Sequence, residues 1–238
     1  MSNFTHPEAL ARVLLAAEEA IRAPDTPLAH LPGWGWAQQR AYRDLVAHPG
    51  WREQVRASLP ERLRLAFDAN VRAGVELRPL TEPRQELPDW HIVAPPPADA
   101  LRAHYQTAEE EFGVGWEYLA AIHLVESRMG RIRGDSPAGA QGPMQFLPST
   151  WEAYGEGDIN DPLDAIRAAA RYLVAHGAPE DMAAALYAYN HSDHYVSAIG
   201  AYAGVMQSDP RAYRGYYHWR VYYRLETGDV LLEEGYRG

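Results

Sequence analysis

The sequence predicts a mainly α-helical fold, and three observations support this class. Apolar residues recur at helical spacing through most of the 238 residues. Most of these segments begin at Ser, Asp or Pro or end at Gly or Pro, which are common helix boundaries. The apolar fraction is 47%, with seven Trp and fifteen Tyr, so the chain can form a substantial core. No internal repeat indicates a solenoid.

The first part of the chain predicts three helical segments. They are expected over residues 6–23, 36–47 and roughly 51–78, with a break in the last near Pro60. Before the second helix, "LPGWGWAQQ" places two tryptophans beside glycines. They could form a carbohydrate platform, but tryptophans in a short appendage more often anchor it to its neighbour.

A boundary is expected between the two parts of the chain. The segment "WHIV" has the pattern of one short extended piece, and Pro95–Pro97 directly after it cannot lie inside a helix. We therefore expect an N-terminal helical region with a Pro-rich linker at 1–97 and a second domain at 98–238. The role of the N-terminal region stays open at this point.

The second part of the chain predicts six further helices. They are expected within residues 97–113, 115–130, 148–155, 161–177, 178–192 and 193–210. The final segment, from residue 213, is aromatic and partly alternating. This pattern fits either a short strand or a docking tail.

Charge and composition exclude several kinds of protein. The net charge of −10 repels phosphate backbones, so the sequence predicts no nucleic-acid partner. The absence of cysteine excludes disulfides, thiolate nucleophiles and Cys-ligated zinc. Near the N-terminus, "VLLAA" is followed at once by two glutamates, so we expect neither a signal peptide nor a membrane span there. Either the protein is cytosolic or an export signal has been removed.

One glutamate interrupts an apolar helix. Glu126 shares part of the apolar face of the predicted helix 115–129, which is marked by Trp116, Leu119, Ile122, Val125 and Met129. Burial raises the pKa of a carboxyl group, and a protonated carboxyl can protonate the leaving oxygen of a glycosidic bond. In the alternative interpretation, Glu126 lies at the helix edge and pairs with a nearby arginine: Arg128, Arg131 or Arg133.

The loop after this helix has the composition of a groove lining. "GDSPAGAQGPMQF" is rich in small residues that let backbone approach a ligand closely. Gln145 brings an amide suited to an N-acetyl group or a sugar hydroxyl, and Met144, Phe146 and Leu147 add apolar walls. The alternative is a surface loop that leads into the next helix at Pro148.

Four elements in order resemble the catalytic domain of lytic transglycosylases. They are "ES", "SPAGAQGPMQFLPSTW", "DPLDAIRAAARYL" and "ALYAYNHS", and the resemblance covers roughly residues 98–215. It implies a goose-type, lysozyme-like fold and peptidoglycan glycan strands as the substrate. We expect no cofactor and no metal. Glu126 matches the family's single catalytic acid and base. The resemblance assigns Ser136, Gln145, Tyr189 and Asn190 to substrate contact or support of the glutamate, and Met144 and Leu147 to the cleft.

The resemblance also implies the reaction and its place in the cell. One carboxyl group would cleave the bond between N-acetylmuramic acid and N-acetylglucosamine and leave 1,6-anhydro ends. Such a substrate lies outside the cytoplasmic membrane, so an exported protein is expected. A hydrolase would need a second carboxylate, and the candidates are Asp135, Glu156, Asp158, Asp161 and Asp164. A glycan-binding protein without activity is the remaining alternative.

Two polar segments could bind metal ions but have simpler interpretations. In "NHSDHY", we expect His191 on the cleft floor as a polar wall and His194 in the first turn of the next helix. Tyr195 fits either the core or a sugar contact. "GEGDINDPLDAI" lacks the spacing of a calcium loop, so we expect Asp161 to cap the helix that begins at Pro162.

Overall fold

The computed structural model describes residues 4–238, and residues 1–3 of the predicted N-terminal region lie outside the described residues. Helices dominate, as the sequence predicts. The N-terminal helices are α1 (Pro7–Arg22), α2 (Leu31–Ala47), α3 (Arg52–Ser58) and α4 (Glu61–Leu77). Those that follow are α5 (Ala98–Phe112), α6 (Trp116–Ser127), α7 (Pro148–Tyr154), α8 (Pro162–Ala175), α9 (Met182–Asn190), α10 (Asp193–Ser208) and α11 (Tyr213–Tyr217).

Two small antiparallel sheets complete the described fold. Strands β1 (His91–Ile92) and β2 (Ile132–Arg133) pair, so the extended piece expected in "WHIV" is present. Strands β3 (Val221–Leu225) and β4 (Gly228–Leu232) form a hairpin in the aromatic C-terminal segment. The sequence left this segment open between a strand and a docking tail, and the cross-strand pairing decides for a hairpin.

Helix α2 begins five residues before the predicted start, so the predicted start is wrong. Its N-terminal residues include Pro32, which fits the first turn of a helix. Gly35 lies where α2 approaches α11 closely, because a Cβ there would be 2.6 Å from the Cβ of His218. At Gly35 the absent side chain therefore serves helix packing.

Trp36 anchors α2 to the C-terminal hairpin. Its indole Nε1 donates a hydrogen bond of 3.0 Å to the hydroxyl of Tyr222, and the guanidinium of Arg220 lies 4.1 Å above its ring. Gln39 adds two bonds to the backbone of Arg220, both 2.8 Å long. The anchoring interpretation of this tryptophan is therefore confirmed.

The apolar core is continuous across the predicted boundary at residue 97. It contains Leu14 and Phe67 from the N-terminal helices together with Leu101 and Ile199 from the later ones. Helix α10 packs against both α4 and α6. The division at residue 97 stays a prediction, and the N-terminal helices share one core with the rest of the fold. No helix within residues 4–238 combines the length and apolarity that crossing a bilayer requires.

Candidate active site

Glu126 lies in the last turn of α6, a helix that is buried on nearly all sides. Its side chain is mostly enclosed, and its Oε1 accepts a hydrogen bond of 2.7 Å from the hydroxyl of Tyr195. Tyr195 is itself buried at the start of α10. The tyrosine therefore belongs to the core and still reaches the carboxyl group, which combines the two alternatives that the sequence left open.

Burial raises the pKa of Glu126 to about 7, and the hydrogen bond from Tyr195 opposes this shift. The alternative of an arginine-paired glutamate is wrong, since Glu126 forms no salt bridge within the described residues. Arg128 donates to the carbonyl of Leu124 at 2.6 Å instead, and Arg131 donates to the carbonyl of Arg128 at 3.1 Å. With its pKa raised to about 7 and no counterion among the described residues, this carboxyl group is largely protonated below neutral pH.

A pair of stacked tyrosines connects Glu126 to the small-residue loop. The rings of Tyr195 and Tyr189 are nearly parallel, with centroids 6.2 Å apart. The hydroxyl of Tyr189 donates to the carbonyl oxygen of Met144 at 2.7 Å. Helices α9 and α10 thus hold both the carboxyl group and the loop beside it.

The loop is also bonded directly to α6 through Ser127, which the sequence analysis left without a role. Its hydroxyl donates to the carbonyl of Pro143 at 2.5 Å and accepts from the backbone N–H of Gly130 at 3.0 Å. A buried hydroxyl needs such partners. The sequence did contain a signal for this role, because Ser127 is a polar residue next to Glu126 on a helix otherwise rich in apolar residues.

The end of α6 differs from the predicted end at residue 129 or 130. Arg128 and Met129 have φ values of 54° and 62°, in the left-handed region that favours glycine. Helix α6 therefore stops at Ser127, and Met129 is buried without being helical. The early stop places Glu126 in the final turn.

The loop residues Gln141 and Phe146 close the loop with two backbone hydrogen bonds, 2.8 and 2.9 Å long. Between them Gln145 has a φ of 53°, and its side-chain Nε2 donates to the carbonyl of Gly142 at 3.0 Å. The hydroxyl of Ser136 accepts from the backbone N–H of Ala140 at 3.0 Å. Ser136 and Gln145 both use their side chains to shape the loop.

The apolar residues of the loop are placed differently from one another. Met144 is fully buried, so its side chain lies in the core and it faces the site through its backbone carbonyl. Leu147 is 43% exposed and remains accessible as an apolar wall.

Asn190 and His191 are exposed at the end of α9, and His191 has a φ of 29°. His191 is therefore accessible to a ligand, and its expected position on the cleft floor stays a prediction.

Other polar residues that the sequence singled out have structural roles. His194 lies in the first turn of α10, with its Nδ1 2.6 Å from Glu76 Oε2. Asp161 accepts from the backbone N–H groups of Leu163 and Asp164, which confirms the predicted helix cap. Asp135 is exposed, and its Oδ2 accepts from the side chain of Gln141 at 3.1 Å. Within residues 4–238, no three His, Asp or Glu side chains gather as metal ligands would.

Gly142 supplies a prediction about the loop. Its φ is 73°, and a Cβ there would be 2.2 Å from the carbonyl oxygen of Ile159. We expect Gly142→Ala to lower the free energy of unfolding by about 2 kcal/mol or more, because the loop must move away from Ile159. Chemical denaturation measures the loss.

Gly139→Ala is the matched control for Gly142→Ala. Gly139 has a similar φ of 79° but open space around its Cβ position. Only the cost of the left-handed conformation applies there, about 1 kcal/mol. Equal losses in the two variants would show that close contact with Ile159 does not position the loop.

Comparisons with known proteins assign the domain that carries this site. The family model described as "Transglycosylase SLT domain" matches residues 104–208. A relative named "Membrane-bound lytic murein transglycosylase F", from Thiobacillus denitrificans, is 30% identical over 121 residues. That alignment covers 48% of this chain and 26% of the relative, so the chain spans about a quarter of the relative's length. No solved structure matches the chain significantly. Residues 104–208, which include Glu126, Gln145 and Tyr195, are similar to SLT-type transglycosylase domains, so the candidate site lies within the matched part of the chain.

Proposed function

We propose that this protein cleaves peptidoglycan as a lytic transglycosylase. The bond cleaved is the β-1,4 linkage between N-acetylmuramic acid and N-acetylglucosamine, and the product carries a 1,6-anhydromuramic end. The observation that carries the proposal is one enclosed carboxyl group, Glu126, whose pKa is raised to about 7 by burial. The SLT domain match supports the substrate class.

The first step uses the protonated form of Glu126. The carboxyl group donates its proton to the bridging oxygen while the bond from that oxygen to C1 of the muramic unit breaks. The oxygen leaves as the hydroxyl of N-acetylglucosamine. The N-acetyl group of the muramic unit stabilises the positive charge that develops at C1. Tyr195 holds Oε1, and within the described residues Oε2 accepts no hydrogen bond, so it is available to the substrate.

The second step uses the carboxylate that the first step leaves. Glu126 takes the proton from the C6 hydroxyl of the same muramic unit while that oxygen attacks C1. The ring closes, no water enters the product, and Glu126 is protonated again for the next turnover. One group therefore serves as acid and then as base, which differs from the two-carboxylate scheme of most glycosidases.

We place the groove that would receive the glycan strand along the loop and the end of α9. The exposed residues Leu147, Asn190 and His191 are available for sugar contacts, and Gln145 and Ser136 shape the backbone beside them. Tyr189 contributes through Met144 by fixing the loop. We place the activity outside the cytoplasmic membrane, because the substrate lies there.

A hydrolytic reaction is the alternative outcome at the same site. It would need a second carboxylate to position water. Among the described residues, no neighbouring carboxylate contributes to the raised pKa of Glu126, which has burial as its cause. Asp135, the leading candidate, is exposed and bonded to Gln141. These contacts favour the single-carboxyl reaction.

Tyr195→Phe tests how the pKa of Glu126 is set. The tyrosine hydroxyl stabilises the carboxylate, so its removal raises the pKa of Glu126 further. Activity requires the protonated form at the start, so it falls as pH rises through this pKa. We expect the alkaline limb of the kcat/KM profile, near pH 7 in the unmodified protein, to move to higher pH. We also expect kcat to fall by about tenfold, since the carboxyl group loses its positioning contact.

Tyr187→Phe is the control for this experiment, because Tyr187 is exposed and does not bond Glu126. Its pH profile should match that of the unmodified protein. An alkaline limb of Tyr195→Phe that stays in place or moves to lower pH contradicts the assigned role of the hydrogen bond.

A further inference from the structure

A cavity that Glu126 does not line lies between the N-terminal helices and the C-terminal hairpin. Its volume is about 160 Å³, and it opens beside a larger groove of about 410 Å³. Helices α2, α4 and α10 and strands β3 and β4 form its walls. Arg128, the residue directly after α6, also lines the cavity. It follows Glu126 by two positions in the sequence.

Four arginines line this cavity: Arg43, Arg78, Arg128 and Arg224. The one carboxylate among its described lining residues is Asp229. A net charge of −10 makes the whole chain acidic, so a cavity with three more cations than anions is an exception to the surrounding surface. The outer groove also contains Asp44 and Glu226, and the excess of positive charge is therefore concentrated in the inner cavity.

Within residues 4–238, one of the four guanidinium groups has a charged partner. Arg43 donates to the Oδ2 atom of Asp229 at 2.5 Å. Arg128 donates to the neutral carbonyl of Leu124, and Arg224 to the carbonyls of Arg78 and Thr81. Within residues 4–238, neither Arg78, Arg128 nor Arg224 forms a salt bridge. Three positive charges consequently remain uncompensated.

Arg43 is also close enough to Arg78 and to Arg128 for repulsion between their charges. Burial lowers the pKa of Arg43, and the charge of Arg78 lowers it further, against the opposing effects of Asp229, Tyr222 and Asp44. Burial likewise lowers the pKa of Arg128, and the charge of Arg43 adds to this effect. Arg43 and Arg128 are therefore desolvated cations near further positive charge, and such charges destabilise a fold unless an anion joins them.

We propose that this cavity binds an oxyanion, a carboxylate or phosphate group, between Arg43, Arg78, Arg128 and Arg224. Guanidinium groups match both oxyanions through paired N–H donors. The rings of Tyr42, Tyr202 and Tyr222 border the same space, so the organic part of a ligand can lie against them. The bound anion joins α2, the end of α4, the residue after α6 and β3, four parts of the chain that are distant in sequence.

Anion binding to the full chain tests the proposal, with inorganic phosphate and citrate as the two probes. We expect isothermal titration at low ionic strength to give saturable binding of at least one of them, and the melting temperature to rise with its concentration. Arg78→Ala should weaken that binding by about tenfold, which corresponds to ~1.4 kcal/mol. Asp229→Asn should strengthen it, because the competing carboxylate is removed.

Arg72→Ala is the matched control, since Arg72 is an exposed arginine on the same helix and does not line the cavity. Its affinity should equal that of the unmodified protein. Binding of phosphate alone identifies a phosphate site, and binding of citrate alone identifies a carboxylate site. Absence of saturable binding for both probes, or an equal loss in Arg72→Ala and Arg78→Ala, overturns the proposal.

Discussion

Replacing Glu126 with glutamine is expected to lower kcat/KM for glycan cleavage by about a thousandfold or more. Glutamine keeps the size of the side chain and can still bond Tyr195, but it can neither donate the first proton nor accept the second. Both steps use this one group, so no partial pathway remains. Turnover of purified sacculi by the variant, followed by release of soluble fragments, measures the loss.

The same substitution has a second effect that separates chemistry from misfolding. The pKa of Glu126 rises from 4.5 to about 7 on folding, so the native protein binds a proton that the unfolded chain has lost between these values. The free energy of unfolding therefore falls as pH rises from 4.5, and this cost of burying the carboxylate reaches its full size above about pH 7. Glu126→Gln removes this cost. We expect its free energy of unfolding to exceed that of the unmodified protein by up to ~3 kcal/mol at alkaline pH and to differ little at acidic pH.

Asp135→Asn is the matched control for the activity loss. Asp135 is an exposed acid of the same loop region, and we expect its variant to retain most activity. If Glu126→Gln still cleaves at a comparable rate, or if its stability gain is the same at all pH values, Glu126 is not the enclosed acid described here.

Replacing Arg22 with alanine is expected to destabilise the fold by about 3–5 kcal/mol. Arg22 pairs with Glu18, which is 1% exposed, and also with Asp209 at 3.1 Å. Tyr42 donates a further hydrogen bond to Glu18. Loss of the guanidinium leaves a buried carboxylate without a cation, and this group holds α1 to α2 and to the segment after α10. Urea denaturation at neutral pH measures the change.

Arg62→Ala provides the comparison for this large effect. Arg62 pairs with Glu19, the next residue of α1, but both side chains are at least half exposed. Exposed pairs contribute about 0–1 kcal/mol, so we expect little change. Similar losses in Arg22→Ala and Arg62→Ala would contradict the account of a buried network that joins the N-terminal helices to the rest.

Much of this fold could be predicted from the sequence because its signals are local. Helical spacing with Gly, Pro and Asp boundaries located most helices, and the cap at Asp161 formed as expected. Glu126 was identifiable because a carboxylate on an apolar helix face requires a special environment. The C-terminal hairpin and the early start of α2 were not predictable, since both depend on contacts between distant segments such as Trp36 with Tyr222.

The partners of the site residues were the least predictable part. The bond from Tyr195 to Glu126 joins residues 69 positions apart, and the bond from Tyr189 to Met144 joins residues 45 apart. The arginine cavity assembles four side chains from four elements, each of which alone resembles an ordinary surface charge. The spacing of residues along the sequence carries no information about such contacts between distant segments.

Digestion of purified sacculi in water enriched in heavy oxygen, with mass analysis of the products, tests the central claim most directly. If Glu126 acts first as acid and then as base on the same sugar, the new muramic ends are 1,6-anhydro forms, lighter than a reducing end by one water molecule and free of the label. Reducing ends that contain heavy oxygen would show that water attacks C1, and the single-carboxyl transglycosylation described here would be wrong.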